Sequence, residues 1–221
     1  MKYIMRIYSV KDIDVSELEY ADPKQNVMGG QSVFVQLPNK DVKEHSIIVQ
    51  TPKVELPFGL NTYENNGYKS HSIDLSFNRN TTSTENFVNF VKAFDEQNLT
   101  YGIDKSYKWF GKRLDKDIIE TLYNKQLKQN GNFAPTMRIK MPTKNGEFVG
   151  DIFDQNENPI NMNVITKGCS VQAIIQCLGI YFVAKEYGVS WKVVQLKVYP
   201  TTKLSEYGFI DEDEIDDAEP N

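Results

Sequence analysis

Basic and aromatic side chains alternate in a short stretch near the centre of the chain. KSYKWFGKR, residues 105–113, contains four cations (Lys105, Lys108, Lys112 and Arg113), three rings (Tyr107, Trp109 and Phe110) and no acidic residue. This mixture can bind a single-stranded nucleic acid, because cations neutralise phosphates and ring faces stack on unpaired bases. The alternative is structural: Trp109 and Phe110 would anchor a loop between two helices to the core.

A second candidate surface comes from the alternating segment GVSWKVVQLKVYP. Strict alternation places Trp191, Val193, Gln195, Lys197 and Tyr199 on one face, and Lys192, Val194, Leu196 and Val198 on the other. The second face is the more apolar, so we expect it to face the core with Lys192 at the mouth of the strand. The first face would then present two rings and a lysine to a ligand.

The segment TMRIKM alternates in the same way. Met137, Ile139 and Met141 are expected inside, which leaves Arg138 and Lys140 outside. If both strands belong to one sheet, their outer faces form a basic and aromatic surface. The alternative is an ordinary amphipathic sheet covered by helices.

Catalytic and metal-binding patterns are missing from the sequence. It contains no G-x-x-x-x-G-K-[ST], no G-x-S-x-G and no H-E-x-x-H. The two histidines, His45 and His71, are too few for a histidine metal site, and the acidic run DEDEIDD lacks the glycine of a calcium loop. We therefore expect no enzymatic activity, no metal and no cofactor.

Negative charge is concentrated at one end of the sequence. The formal net charge is −5, yet residues 206–221 contain eight acidic residues and no basic one, so residues 1–205 are positive by about three. This division predicts a binding domain over 1–205 and a disordered acidic C-terminal tail over 206–221. The candidate partner-binding residues of the tail are Phe209, Asp211, Glu212, Asp213, Glu214, Asp216 and Asp217. A purely solubilising tail is the alternative.

The cysteines indicate a reducing, intracellular compartment. Cys169 and Cys177 lie in one strand-like segment, which would hold them roughly 26 Å apart at about 3.3 Å per residue. A disulfide needs α-carbons within about 7 Å, so both are expected as free thiols. No secretory or membrane-spanning segment is visible.

The elements follow the order strands, helices, strands. Alternation in SVFVQLP, SIIVQTP and HSIDLSFN predicts the first strands. A helix capped by Thr82 and Glu85 and a second helix over Leu114 to Lys128 follow, before the period of two returns at Thr136. This order predicts a mainly β fold: an antiparallel sheet or small barrel with two helices in a central connection.

The same segments resemble a known family in sequence. "GGQSVFVQLP", "IIVQTPKVELPFGLNTYE", "YKWFGKR", "APTMRIKMP" and "KGCSVQAIIQCLGIYFVAKEYGVSWKVVQLKV" resemble, in order, blocks of the single-stranded DNA-binding proteins of nucleo-cytoplasmic large DNA viruses. The resemblance runs from about Gly29 to Val198. That family is distantly similar to podophage single-stranded DNA-binding proteins, which also end in an acidic tail.

The resemblance implies an OB-fold barrel that binds single-stranded DNA independently of sequence, without enzymatic activity. It implies a role in replication, recombination and repair of viral DNA inside the infected host, in a cytoplasmic viral factory or the nucleus. By motif it places weight on residues 108–112 and on Trp191 and Lys192. The acidic tail would compete for the groove and recruit replication proteins. The sequence leaves self-association open.

Two other functions remain open from the sequence. The sheet could mediate protein contacts in a scaffold protein of the viral factory. An RNA-binding regulator would use a similar surface, with contacts to the 2′-hydroxyl to discriminate RNA.

Overall fold

The structure is a computed structural model that describes residues 6–25, 30–38, 46–65, 67–184 and 186–199. The α-helices of this part are α1 (Thr82–Asp104), α2 (Ser106–Phe110) and α3 (Lys116–Leu122). Short 3-10 turns cover Val10–Asp12, Val15–Glu17 and Met162–Val164. The strands are β1 (Glu19–Tyr20), β2 (Lys24–Gln25), β3 (Gln31–Val33), β4 (Val35–Gln36), β5 (Ile48–Gln50), β6 (Val54–Glu55), β7 (Leu60–Asn65), β8 (Tyr68–Ser76), β9 (Leu127–Lys128), β10 (Thr136–Met141), β11 (Thr143–Lys144), β12 (Glu147–Phe148), β13 (Asp151–Phe153), β14 (Ser170–Val183) and β15 (Glu186–Tyr199).

Five strand positions close into a barrel. In order around the ring they are β6, β8, β10, β15 and β14, and β14 pairs back onto β6. β5 precedes β6 and also pairs with β14, so the two together form the first barrel strand. All neighbours in the ring are antiparallel except β10 and β15, which run parallel. The mainly β, OB-fold-like barrel expected from the sequence is thereby confirmed.

Alternation of side chains explains the second and third barrel strands. In β8, Ile73 and Leu75 face the core, and in β10 Met137, Ile139 and Met141 do the same. The outer positions of β10 are the exposed Arg138 and Lys140. The prediction for this strand is confirmed.

The face assignment of β15 is wrong for half of the strand, because a β-bulge interrupts it. Ile174 of β14 pairs with Gln195 and Ile175 pairs with Val193, so Val194 has no partner. An extra residue shifts the alternation by one position. Trp191 and Val193 therefore face the core before the bulge, and Gln195, Lys197 and Tyr199 face outward after it. Lys192, expected on the core side, lies half-exposed on the outer face.

A second irregularity in β14 depends on a glycine. Gly179 has φ +97°, in the left-handed region, and follows a register shift after Cys177. A Cβ atom here would clash with the carbonyl oxygen of Val33, because β3 crosses at this point. Glycine is the residue that permits both this φ and the close approach.

Both cysteines are free thiols, as expected, and both are buried. Burial raises the pKa of the Cys177 thiol to about 12.

Helix α1 brings an aromatic face to the barrel. It begins one residue earlier than predicted, with Thr81 as N-cap accepting from the backbone N–H of Thr84 at 3.2 Å. Phe90 and Phe94 pack on the Trp191 ring, with centroids 6.5 and 5.7 Å away. No helix in the described ranges is long and apolar enough to cross a membrane.

The second helix is much shorter than the prediction, and the connection holds a third one. α3 ends at Leu122, and the segment up to Lys128 is extended. Gln126 explains the difference, because its backbone N–H and its side-chain amide both donate to the buried Asp95 of α1. Tertiary hydrogen bonds thus override a local helical pattern.

The additional helix is α2, which lies inside the basic and aromatic stretch 105–113. The predicted acidic tail and the boundary at residue 205 lie outside the described residues.

Candidate nucleic-acid interface

An open groove of about 760 Å³ runs over the outer face of the second and third barrel strands. Its floor includes Asp74 of β8 and Arg138 of β10. The lining also includes Phe58, in the turn between the first and second barrel strands, and Val183 and Glu186 at the β14–β15 turn. OB-folds bind oligonucleotides on the face of strands 2 and 3 and with these two loops. We call this region the basic groove.

Positive charge dominates the basic groove. Its lining contains four cations, Lys125, Lys128, Arg138 and Lys140, and two acids, Asp74 and Glu186. One acid is already neutralised, because Arg138 donates to Asp74 through Nε at 2.9 Å and through a terminal nitrogen at 3.0 Å. Asn61 donates to the same carboxylate at 3.0 Å. The three lysines therefore supply the net field of the groove.

The ion pair with Asp74 fixes the position of the arginine. Asp74 is buried, and the Arg138 side chain is largely exposed. Hydrogen bonding to Asp74 raises the pKa of Arg138. The guanidinium has five N–H groups, so several remain for a ligand after the two bonds to Asp74.

Lys140 is exposed on the outer face of β10, and protein atoms surround part of its ammonium group. Partial burial lowers the pKa of Lys140, because the charged ammonium loses hydration there. A bound phosphate oxygen would replace the hydration that the Lys140 ammonium group has lost. Lys140 is paired across the parallel strands with Lys192, which extends the basic row onto β15.

A buried polar network holds the wall that carries Lys125 and Lys128. Asp95 accepts from the Tyr123 hydroxyl at 2.6 Å and from the Gln126 amide at 2.7 Å, and Gln126 in turn accepts from the Trp191 indole N–H. Burial raises the pKa of Asp95, and these hydrogen bonds offset part of the increase. These hydrogen bonds hold the extended segment after α3 between α1 and β15.

The same segment also crosses the β14–β15 hairpin. The backbone N–H of Asn124 donates to the Tyr187 carbonyl at 2.7 Å, and its amide donates to the Tyr181 hydroxyl at 2.8 Å. The Asn124 side chain also accepts from the Lys128 ammonium. These contacts position Lys128 and the Tyr181 ring at the groove.

Two aromatic side chains are available to a ligand in the groove. Phe58 is 61% exposed, and Tyr181 is half-buried in the wall. The turn carrying Phe58 requires Gly59, which has φ +69° and whose Cβ would lie 2.7 Å from the Lys167 backbone nitrogen. Ser190 also lines the groove, but its hydroxyl oxygen is buried and has no hydrogen-bond partner within the described part of the chain.

Both tryptophans are in the core, which corrects their expected role as stacking platforms. Trp109 and Trp191 are each 2% exposed. Trp109 packs among Tyr20, Tyr101 and Phe182, and Trp191 packs on the α1 phenylalanines. The aromatic residues of α1 and the N-terminal segment reach them from distant parts of the chain. Neither ring face is open to a base in this structure.

The stretch 105–113 lies on the opposite side of the hairpin from the basic groove. Phe110 packs on Phe182, with centroids 5.6 Å apart, whereas Tyr181, the neighbouring residue of the same strand, lines the groove. Successive residues of a strand point to opposite faces. The stretch 105–113 and the basic groove therefore do not form one surface.

The cations of the stretch 105–113 are exposed, and two of them have acidic partners. Lys108 is paired with Asp22 at 2.6 Å, and Lys105 with its neighbour Asp104. Lys112 and Arg113 are exposed beyond the end of α2. Tyr107 is 69% exposed and is the one ring of this stretch that faces solvent. Their contact with DNA stays a prediction.

The remaining predicted residues lie on the outer face of β15. Lys197 lines a second, smaller concavity and pairs with Glu157 at 3.7 Å. The Tyr199 ring is covered by the Lys53 ammonium, 3.5 Å from its centroid. Neither residue lines the basic groove.

Four groove residues were not anticipated from the sequence: Phe58, Lys125, Lys128 and Tyr181. Phe58 has a sequence signal, because an aromatic residue inside the turn Pro57-Phe58-Gly59 has no strand face to bury it. The two lysines were assigned to a helix end, where positive charge is ordinary. Within the described residues, no group of three or more His, Cys, Asp or Glu side chains could hold a metal ion.

Fold and groove together define an OB-fold barrel with a basic groove on its outer face. The chain belongs to a family of unknown function, DUF5871, whose model matches residues 70–211. It is 27% identical over 177 residues, 76% of its length, to an uncharacterized protein of Acanthamoeba polyphaga mimivirus. The matched region spans 29% of the length of that relative.

Two solved structures of phage proteins are similar to this one. The single-stranded DNA-binding protein gp2.5 of bacteriophage T7 has a TM-score of 0.50 at 12% identity, over 80% of this chain and 97% of that one. The single-stranded DNA-binding protein of bacteriophage Enc34, in complex with single-stranded DNA, has a TM-score of 0.43 at 15% identity, over 85% and 98% of the two chains. The likeness to gp2.5 shows a common fold.

Proposed function

We propose that this chain binds single-stranded DNA along the basic groove, without sequence dependence and without catalysis. The observation that carries the proposal is the combination of cations and accessible rings on the face of strands 2 and 3, which OB-folds use to bind oligonucleotides. The lysines supply phosphate contacts. Phe58 and Tyr181 offer faces that unpaired bases can use and paired bases cannot.

The biological setting is part of the same proposal. The chain resembles single-stranded DNA-binding proteins of large DNA viruses, and it shares its fold with gp2.5, which is by name a single-stranded DNA-binding protein. We assign it to the replication, recombination and repair of viral DNA in the infected cell. The groove supports a binding role over that of a scaffold, because a protein-docking face needs no row of cations.

The test is a titration of labelled oligothymidylate of about 20 nucleotides, longer than the site of one OB-fold, followed by fluorescence anisotropy. The signal must come from the DNA, because the buried tryptophans are poorly placed to report stacking. We expect tighter binding to the single strand than to a duplex of equal length. Three to five phosphate contacts give a slope of log affinity against log salt of about −2 to −3.5. Equal affinity for duplex and single strand would contradict the proposal.

Phe58→Ala should weaken single-strand binding by about 1–3 kcal/mol, roughly five-fold to 150-fold, with an unchanged salt slope. The reason is that the ring supplies stacking and no charge. Because Phe58 is largely exposed, its removal leaves the fold intact. The matched control is Phe34→Ala, a phenylalanine that is 53% exposed and does not line the groove. Similar losses in both variants would show that Phe58 has no special role.

The acidic segment 206–221 is proposed to compete with DNA for the groove and to recruit replication proteins when DNA displaces it. A tethered segment reaches an effective concentration of about 1 mM. We take the dissociation constant of the acidic segment for the groove to be about 0.1 mM, a value typical of weak polyanion binding. At the effective concentration above, the segment then lowers the apparent affinity for DNA about tenfold. Ending the chain at Ser205 should therefore tighten DNA binding about tenfold at low salt and less at high salt. Anisotropy titrations of both proteins at low ionic strength test this, and identical affinities there would eliminate the competition.

A further inference from the structure

The hairpin of β7 and β8 extends the outer face of the barrel beyond the five ring strands. β7 pairs with β8 along its whole length, on the side of β8 that faces away from β10. The first barrel strand pairs with β8 on that same side through Glu55 and Ser76. β7 is therefore an additional strand beside the ring, and none of its residues lines the basic groove.

Strand register places Tyr63 on the same face of the sheet as the groove. Asn61 lies on the outer face of β7, because its amide donates to Asp74 on the groove floor at 3.0 Å. Alternate residues of a strand point to the same face. The pairing of β7 with β8 has no register shift, so Tyr63, two residues after Asn61, is also on the outer face.

Two serines of β8 lie between Tyr63 and the nearest groove cation. Ser72 is opposite Lys140, and Ser70 is opposite Tyr63. Neighbouring strands are about 4.8 Å apart and alternate residues about 6.7 Å, so the α-carbons of Tyr63 and Lys140 are roughly 12 Å apart. Both serines are short and half-buried, so no large side chain of β8 stands between the ring and the ammonium group. A flexible strand that leaves the groove past Lys140 can therefore reach the ring.

The Tyr63 ring is free to bind a ligand. It is 65% exposed and has no ring, hydrogen-bond or ionic partner within the described part of the chain. The acid of the hairpin on this face, Asp74, is already paired with Arg138. Glu64 lies on the opposite face, where it pairs with Lys69 at 3.3 Å. The charges of β7 and β8 therefore do not repel a phosphate from this ring.

We infer that Tyr63 stacks on a base of the DNA strand held in the basic groove, at a position beyond the groove itself. This inference rests on the proposed function. A tyrosine ring can stack on any base, so the contact lengthens the site without adding a sequence preference. Phe58 precedes β7 and Tyr63 lies near its other end, so the hairpin would supply one ring inside the groove and a second ring outside it.

Tyr63→Trp turns the proposed contact into a fluorescence signal. Trp109 and Trp191 are each 2% exposed, so the added indole is the one that a bound base can reach. Oligothymidylate of about 14 nucleotides, within the range of OB-fold site sizes, should quench most of the emission that the substitution adds. The matched control is Tyr107→Trp, at a position that is 69% exposed and on the opposite side of the β14–β15 hairpin. Its emission should not change.

Tyr63→Ala should weaken binding of the same oligonucleotide about tenfold in anisotropy titrations, with an unchanged salt slope, because a stacking contact is lost and no charge is removed. An oligothymidylate of about 6 nucleotides fills the groove first, so it should bind Tyr63→Ala and wild type alike. Phe58→Ala should weaken the binding of both lengths. Tyr63→Phe keeps the ring and should keep wild-type affinity.

The outcomes separate this inference from the proposed function. Unchanged emission of Tyr63→Trp, on a strand whose binding is seen by anisotropy, overturns the inference and leaves groove binding intact. Equal losses in Tyr63→Ala and Tyr63→Phe also overturn it, because the contact would then come from the hydroxyl. Wild type that binds neither oligonucleotide overturns the proposed function as well. Thermal melting checks each fold, and the Trp and Phe substitutions, which keep a ring, decide the matter should Tyr63→Ala melt at a lower temperature.

Discussion

Replacement of Lys125, Lys128 and Lys140 by alanine is expected to weaken single-strand binding several hundred-fold at about 50 mM salt. Each phosphate contact on a single strand contributes about 0.7 to the salt slope, so three lost contacts remove about 2 units of slope and roughly 2.7 units of log affinity at that concentration. The three lysines supply the net positive field of the basic groove, because Arg138 is paired with Asp74. Anisotropy titrations at about 50 and 200 mM salt give both quantities.

The matched control removes three lysines that do not line the groove, Lys11, Lys92 and Lys116. This control variant lowers the net charge by the same amount. Its slope of log affinity against log salt should differ from that of wild type by much less than 1 unit, since distant exposed charges are screened beyond about 10 Å. Equal losses in the two triple variants would mean that net charge, and not the groove, sets the affinity.

Trp191→Ala is expected to lower the free energy of unfolding by about 3–5 kcal/mol through the cavity it leaves, and by a further 1–3 kcal/mol through the unpaired Gln126 carbonyl. Trp191 is buried against Phe90 and Phe94, and its indole N–H donates to Gln126. This is a large share of the 5–15 kcal/mol typical of a domain. Urea unfolding monitored by circular dichroism measures the loss.

Tyr107→Ala serves as the control for an aromatic residue of similar size, and should change the free energy of unfolding by less than about 0.5 kcal/mol because the ring is exposed. A Trp191→Ala variant with wild-type stability and reduced DNA affinity would contradict the core position of Trp191. It would support the stacking role that the sequence suggested.

The regular strands were predictable from the sequence because burial on one face imposes a period of two. This holds in β10, where Met137, Ile139 and Met141 alternate with Arg138 and Lys140. It fails in β15, because the bulge at Val194 depends on pairing with β14 and leaves no mark in the local pattern. One extra residue reversed the assignment of Trp191.

The candidate site was only half predictable, because tertiary contacts decide which basic and aromatic residues share a surface. The stretch 105–113 is rich in both, yet α2 buries Trp109 and faces away from the groove. Lys125 and Lys128 fit a helical pattern in the sequence. In the structure, Gln126 donates two hydrogen bonds to Asp95, some thirty residues earlier in the chain, and the segment is extended instead. Local composition indicated the ligand class, and long-range packing selected the residues.

Hydrogen exchange of the full chain, measured by mass spectrometry with and without oligothymidylate, tests the groove most directly. The account predicts that bound DNA slows exchange in residues 124–130, in β10 and around the β14–β15 turn, with little change in residues 105–113. Protection concentrated in residues 105–113, with the groove segments unchanged, would contradict it.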